Sequence, residues 1–127
     1  MKYIGNIEKE TLENENFRKV LNTTDRSQLV VMAIQIGDDI GMEVHKEHDQ
    51  FIRIEQGEAE VILDGEVTEI KDDFAIVIPA GVEHNIVNIS DSEVLKLYTI
   101  YTPPEHADGT IHVDKAEVDK YEEEHHQ

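Results

Sequence analysis

The strongest constraint on this chain is its punctuation. From Phe17 to Tyr101, short apolar or alternating runs are broken by Gly, Asp, Asn or Pro roughly every eight to twelve residues, the spacing of strands in an antiparallel sandwich or barrel. Strands are expected at residues 17–21, 29–36, 41–45, 50–56, 58–63, 66–70, 75–79, 84–88 and 94–101. Asp64-Gly65 separates two of them and is a favoured pair for a tight hairpin, because both of its positions tolerate positive φ. The fold class read from this rhythm is all-β.

A chain of 127 residues is the size of one domain, read here as a core barrel over about 17–101, an N-terminal arm over 1–16 and a C-terminal tail over 102–127. Residues 8–15 are read as either a short acidic helix or an irregular arm, since Leu12 is their only apolar anchor. Pro103-Pro104 ends the last strand, and the run from Asp114 to Glu124 has the look of an Asp-capped, exposed, peripheral helix.

The balance of 29 acidic against 11 basic residues, a formal charge of −18, opposes association with a phosphate backbone. Nucleic acid is therefore not an expected partner. Residues 1–16 hold no continuous apolar stretch, so neither a leader nor a membrane span is expected, and a soluble cytoplasmic protein is the default. With no cysteine, any metal must be held by nitrogen and oxygen donors.

Two clusters carry such donors, Gly37-(x5)-Glu43-x-His45-(x4)-Gln50-(x6)-Gly57 and Pro79-x-Gly81-x-x-His84-(x3)-Asn88. Side chains alternate along a strand, so Glu43 and His45 point the same way, and Gln50 and His84 can join them from neighbouring strands. Two imidazoles, one carboxylate and one amide oxygen suit a divalent Mn, Fe, Co, Ni or Zn ion and leave positions open on an octahedral one. Pro79 ends one strand and Gly81 permits the return that brings His84 inward, while Asn88 is expected to tie its strand to a turn.

These clusters resemble the paired motifs of the cupin superfamily, Gly-(x5)-His-x-His-(x3 or x4)-Glu-(x6)-Gly and Gly-(x5)-Pro-x-Gly-(x2)-His-(x3)-Asn. Gly37, His45, Gly57, Pro79, Gly81, His84 and Asn88 fall on the pattern, Asp73 stands in for the second motif's leading glycine, and Glu43 and Gln50 replace the usual His and Glu. The resemblance implies a double-stranded β-helix, or jelly roll, with a metal on Glu43, His45, Gln50 and His84, and a homodimer through outer strands. Residues 17–21 and 29–36 are the expected contributors to that pairing. The stretch from Glu43 to Gly57 is similar to small single-domain bacterial cupins of sugar-phosphate-isomerase-like or dioxygenase-like type.

Three readings of function follow: a metal-dependent enzyme on a small organic or sugar-like substrate, a non-catalytic small-molecule-binding or sensory module, and a structural metal site. Catalytic residues are not identified, and His48, Tyr98 and Tyr101 are the candidates. Tyr98 and Tyr101 have opposite strand parity, so at most one is expected to face the cavity, and Arg53 is expected to face away from it. His106 and His112 are read as a solvated loop or a lid, and His125 and His126 as a source of adventitious metal binding.

Overall fold

The computed structural model describes residues 2–119, so residues 120–124 of the expected C-terminal helix, with His125 and His126, lie outside the described residues. A short helix, α1 (Ile7–Glu13), precedes nine strands: β1 (Arg18–Thr23), β2 (Gln28–Ile34), β3 (Asp49–Gln56), β4 (Glu58–Leu63), β5 (Glu66–Lys71), β6 (Ala75–Ile78), β7 (His84–Asn88), β8 (Leu95–Thr102) and β9 (Ile111–His112). They form two antiparallel sheets, ordered β6-β3-β8-β2-β1-β9 and β5-β4-β7, in a jelly roll.

The period of two sorts each strand. Along β3, Gln50, Ile52 and Ile54 are buried while Phe51, Arg53 and Glu55 face outward; along β8, Leu95, Leu97, Thr99 and Tyr101 are buried. The core between the sheets is aliphatic, with Met32, Ile34, Ile52, Ile54, Ile86 and Leu97 fully enclosed. Each such side chain contributes about 1.5–3 kcal/mol of transfer free energy. Lys96 has the outward parity of β8 but is buried beneath the arm, where its ammonium donates to the carbonyls of Leu12 and Asn14 at the C-terminal end of α1. The residues read as helix or arm are therefore α1, docked on the outside of the larger sheet.

Two elements depart from the sequence reading. Residues 41–45 are not a strand: Gly37 and Gly41 both have positive φ and bend the segment, so it meets β7 only at the isolated bridges Asp39↔Val87 and Glu43↔His84. Strand β9 was not expected, and it brings the segment after the double proline back to pair with β1. The helical turn over 115–119 begins where expected, with Asp114 Oδ1 accepting from the Glu117 N–H and the Glu117 carboxylate accepting from the Val113 N–H.

The turns carry their chemistry locally. Asp64 and Gly65 both have positive φ, as the hairpin requires. Asp73, at the position of the second motif's leading glycine, also lies in the left-handed region, which a short polar side chain tolerates. Gly57 has a stricter reason, because at φ +112° a Cβ would also stand 3.3 Å from Leu95 Cα. Gly57→Ala is expected to lower stability by about 1–3 kcal/mol in urea unfolding, with the m-value unchanged.

Candidate metal centre

The donors are positioned by the backbone of an irregular segment. Glu43 and His84 exchange two N–H···O bonds, both 2.8 Å, and the Gly81 N–H donates to the His45 carbonyl at 2.9 Å. Held this way, residues 42–45 keep strand-like alternation without a strand: Met42 and Val44 are 51% and 44% exposed, while Glu43 and His45 turn into the barrel. Gln50 lies between Ile78 of β6 and Tyr101 of β8 and is buried. His84 is buried too, its ring 5.2 Å from that of His45, and its Nδ1–H donates to the Val82 carbonyl, which leaves Nε2 as the lone-pair nitrogen.

His45 has a carboxylate at each ring nitrogen. Glu43 Oε2 is 3.0 Å from Nε2, and Glu105 Oε2 is 3.4 Å from Nδ1. A neutral imidazole has one proton, so one of these approaches sets lone pair against lone pair unless a second proton or a cation stands there. In the chain alone the proton fills the role: Glu105 and then Glu43 raise the His45 pKa to about 9, against the opposing effect of burial. His45 in turn holds the Glu105 carboxyl below its usual range. The His45 Nε2 contact with Glu43 lacks hydrogen-bond alignment, so Nε2 is a buried nitrogen without a hydrogen-bond partner. Gln50 Oε1 is in the same condition, its amide nitrogen being used on Thr99 Oγ1 at 3.0 Å. Two buried atoms without hydrogen-bond partners, one on the irregular segment and one on β3, beside a carboxylate and a tautomer-fixed imidazole, fit a divalent cation.

His48 and Glu105 form the other side of the centre. The Pro104 carbonyl accepts from His48 Nε2 at 3.0 Å, which turns His48 Nδ1 toward Glu105 Oε2, 3.3 Å away. Among the described residues, His45, His48 and Glu105 are the group of three whose donor atoms all lie within 4.8 Å of one another. His45 thus faces two neighbourhoods: Nε2 toward Glu43, and Nδ1 toward Glu105 and His48.

Glu105 has no place in the sequence motifs. It is carried by the strap that leaves β8 after Thr102, and a buried Gln28 at the start of β2 holds that strap. The Gln28 amide nitrogen donates to the His106 carbonyl and to Thr23 Oγ1, and its oxygen accepts from the Glu105 and His106 N–H groups. The only sequence signal is Pro103-Pro104, which stops the strand without saying where the chain goes next. The strap also encloses His106, whose Nε2 is buried and whose pKa falls to about 4 through burial and the nearby Arg18 charge, so its ring is neutral.

Of the tyrosines, Tyr101 faces inward, its ring 5.7 Å from His45 and 5.3 Å from His106, and burial raises its pKa far above the ordinary value. Tyr98 lies on the outer face against Phe51, which removes it from the catalytic candidates. Arg53 also faces out and pairs with Glu55 and Asp73. Asn88 ties the end of β7 to its neighbours through the carbonyls of Ile34 and Glu93 and the Ser90 N–H.

Comparison with known proteins agrees with this architecture. The family model described as "Cupin domain" matches residues 30–101. The crystal structure of BH2720 from Bacillus halodurans shares 43% sequence identity over 94% of this chain and 95% of its own, with a TM-score of 0.92. "Uncharacterized protein YrkC" of Bacillus subtilis is 42% identical over 91% of this chain, and "Uncharacterized protein L612" of Acanthamoeba polyphaga mimivirus is 44% identical over 87%. The match spans 65% of the length of the Bacillus subtilis protein and 71% of the mimivirus one. No helix among the described residues is long and apolar enough to cross a membrane.

The raised His45 pKa has a consequence for the metal-free protein. The folded state binds a proton at His45 that the unfolded chain, with an ordinary histidine near pH 6.5, releases, so stability falls as pH rises between about 6.5 and 9. Melting temperatures of chelator-treated protein are expected to decline across that window, and the decline is expected to flatten in His45→Gln.

Proposed function

The chain belongs to the cupin family, and we propose that it is a metal-dependent enzyme of isomerase or oxygenase type acting on a small organic or sugar-like substrate. The observation that carries this reading is His45, flanked by carboxylates at both nitrogens and leaving Nε2 unpartnered inside the barrel. In this reading Glu43, His45, Gln50 and His84 hold the ion, and their donor set suits Mn, Fe, Co, Ni or Zn. When bound, such an ion supplies Lewis-acid polarisation of a substrate oxygen or, if it is redox-active, electron transfer.

The remaining work falls to the chain's own groups. Glu105 accepts from His45 Nδ1–H and so presents Nε2 as a ligand, the usual role of a carboxylate behind a metal-bound histidine. Tyr101 keeps its proton near neutral pH and serves as a hydrogen-bond donor, not a base. His48, beside Glu105, is the remaining candidate to move a proton. A second placement of the ion rests on the close approach of His45, His48 and Glu105. A non-catalytic binding or sensory module would use the same cavity without turnover.

Elemental analysis of untagged protein, beside His84→Ala, His48→Ala and a form ending before His125, separates these. About one transition-metal ion per chain is expected, lost in His84→Ala and kept in the other two. Loss in His48→Ala alone moves the ion to the outer group. No metal in the wild type after reconstitution leaves the binding-module reading.

Pairing of two chains is part of the same proposal. In register across the outer face of the larger sheet stand Val77, Phe51, Ile100 and Leu29, an apolar row with Val77 68% exposed. Ile100→Glu is expected to shift the protein from dimer to monomer in sedimentation equilibrium without changing its far-ultraviolet circular dichroism; an unchanged mass in the variant argues against this face.

A further inference from the structure

We infer that the barrel mouth holds a carboxylate-binding subsite built on Arg18, so that the small molecule this chain takes is an organic acid. The inference rests on the metal-centred reading only for what meets the other end of that molecule.

Arg18 stands on β1 opposite Met32 of β2 and His112 of β9, with the inward parity of Val20. It is 5% exposed. One terminal nitrogen, Nη1, donates to His112 Nδ1 at 3.2 Å, and the guanidinium carbon lies 5.4 Å from the centre of the Phe17 ring. Its Nε is buried without a hydrogen-bond partner. Among the described residues it forms no ion pair, in a chain with 29 acidic side chains. An arginine this buried ordinarily has a carboxylate, because a lone buried charge is costly; the absence of one marks a place for an anion that is not part of the fold.

The surroundings say which anion. Arg18 lines a cavity of about 440 Å³ together with Glu43, Glu105, His106, Thr110 and His112, a volume suited to a small metabolite. Glu43 and Glu105 are engaged by His45 and His48, whereas the Arg18 guanidinium hydrogen-bonds the His112 imidazole, so the two carboxylates of the lining are not its partners. Nη1 is taken by His112 and Nε is out of reach of solvent, so a single carboxylate seated on the remaining edge, Nε with Nη2, makes its two parallel hydrogen bonds once the guanidinium turns toward the cavity. Among the described residues no second arginine or lysine lines the cavity, which leaves a phosphate dianion half neutralised beside two glutamates.

The test follows the Arg18 side-chain Nε–H signal by nitrogen-15 NMR while glycolate is titrated into metal-free and zinc-loaded protein, with its neutral analogue glycolamide and inorganic phosphate as comparisons. Glycolate is expected to shift the signal and to bind at least tenfold more tightly than either comparison. Arg18→Met, which keeps the apolar stem, is expected to lose at least tenfold in glycolate affinity while its melting temperature holds or rises. Unchanged glycolate affinity in Arg18→Met, or a lowered melting temperature with binding retained, makes Arg18 a structural residue and overturns the proposal. Tighter binding of phosphate or glycolamide overturns the assignment to a carboxylate. Should Arg18→Met fail to fold, the wild-type Nε–H signal decides, and its indifference to glycolate sinks the idea. Glycolate binding through Arg18 in the metal-free protein sustains this inference even if no metal site exists, and metal retention with glycolate indifferent to Arg18 defeats this inference alone.

Discussion

Two backbone hydrogen bonds between Glu43 and His84, both 2.8 Å, are the contact on which the candidate centre depends. The segment from Gly37 to His45 is not a strand and has no continuous ladder to set its register, so this pair, with the Gly81 bond to the His45 carbonyl, aims the Glu43 and His45 side chains into the barrel. A net contribution of about 1 kcal/mol per bond is small against the aliphatic core, yet the core cannot aim Glu43 or His45. The pair also puts a residue of the first motif directly opposite the histidine of the second. Its geometry converts two stretches of sequence into one site.

The same segment is held from its other end. Asp39 accepts from Asn85, Asn85 accepts from the Gly41 N–H, and Lys115 of the C-terminal turn pairs with Asp39. Its hydrogen bond from Asn85 and then that from Lys115 keep the Asp39 carboxyl below its ordinary range, so the tether is ionic at neutral pH. With the Gln28 amide gripping residues 105–106, the chain after β8 is fastened at both sides of the mouth. Losing a saturated buried amide of this kind leaves backbone groups unsatisfied at a cost of about 1–3 kcal/mol. That fastening makes Glu105 and His106 parts of the cavity wall.

Charge is distributed with the same economy. A chain of formal charge −18 keeps its cationic side chains near the cavity few, and it encloses one of them without a carboxylate. The imidazole of His45 lies among carboxylates and is driven toward its charged form, whereas His106, beside Arg18 and buried, is driven toward neutrality. Two histidines in contact with the same tyrosine therefore differ in protonation because of what flanks them.

Local pattern was enough for the strands, for the Asp64-Gly65 hairpin, and for the shared face of Glu43 and His45, because each depends on neighbours in sequence and on a period of two. It also separated Tyr98 from Tyr101, but parity carries no sign: which tyrosine faces inward follows from the pairing of Gln50 with Tyr101 across β3 and β8. Gly41 and Gly37 hid the loss of a strand, since alternation survives there without a ladder. Glu105 and the inward turn of Arg18 were not legible at all. They meet the centre only because β9 returns to β1 and Gln28 grips the strap, contacts between residues far apart in the chain, whose formation depends on closure of the whole barrel and on no motif around either residue.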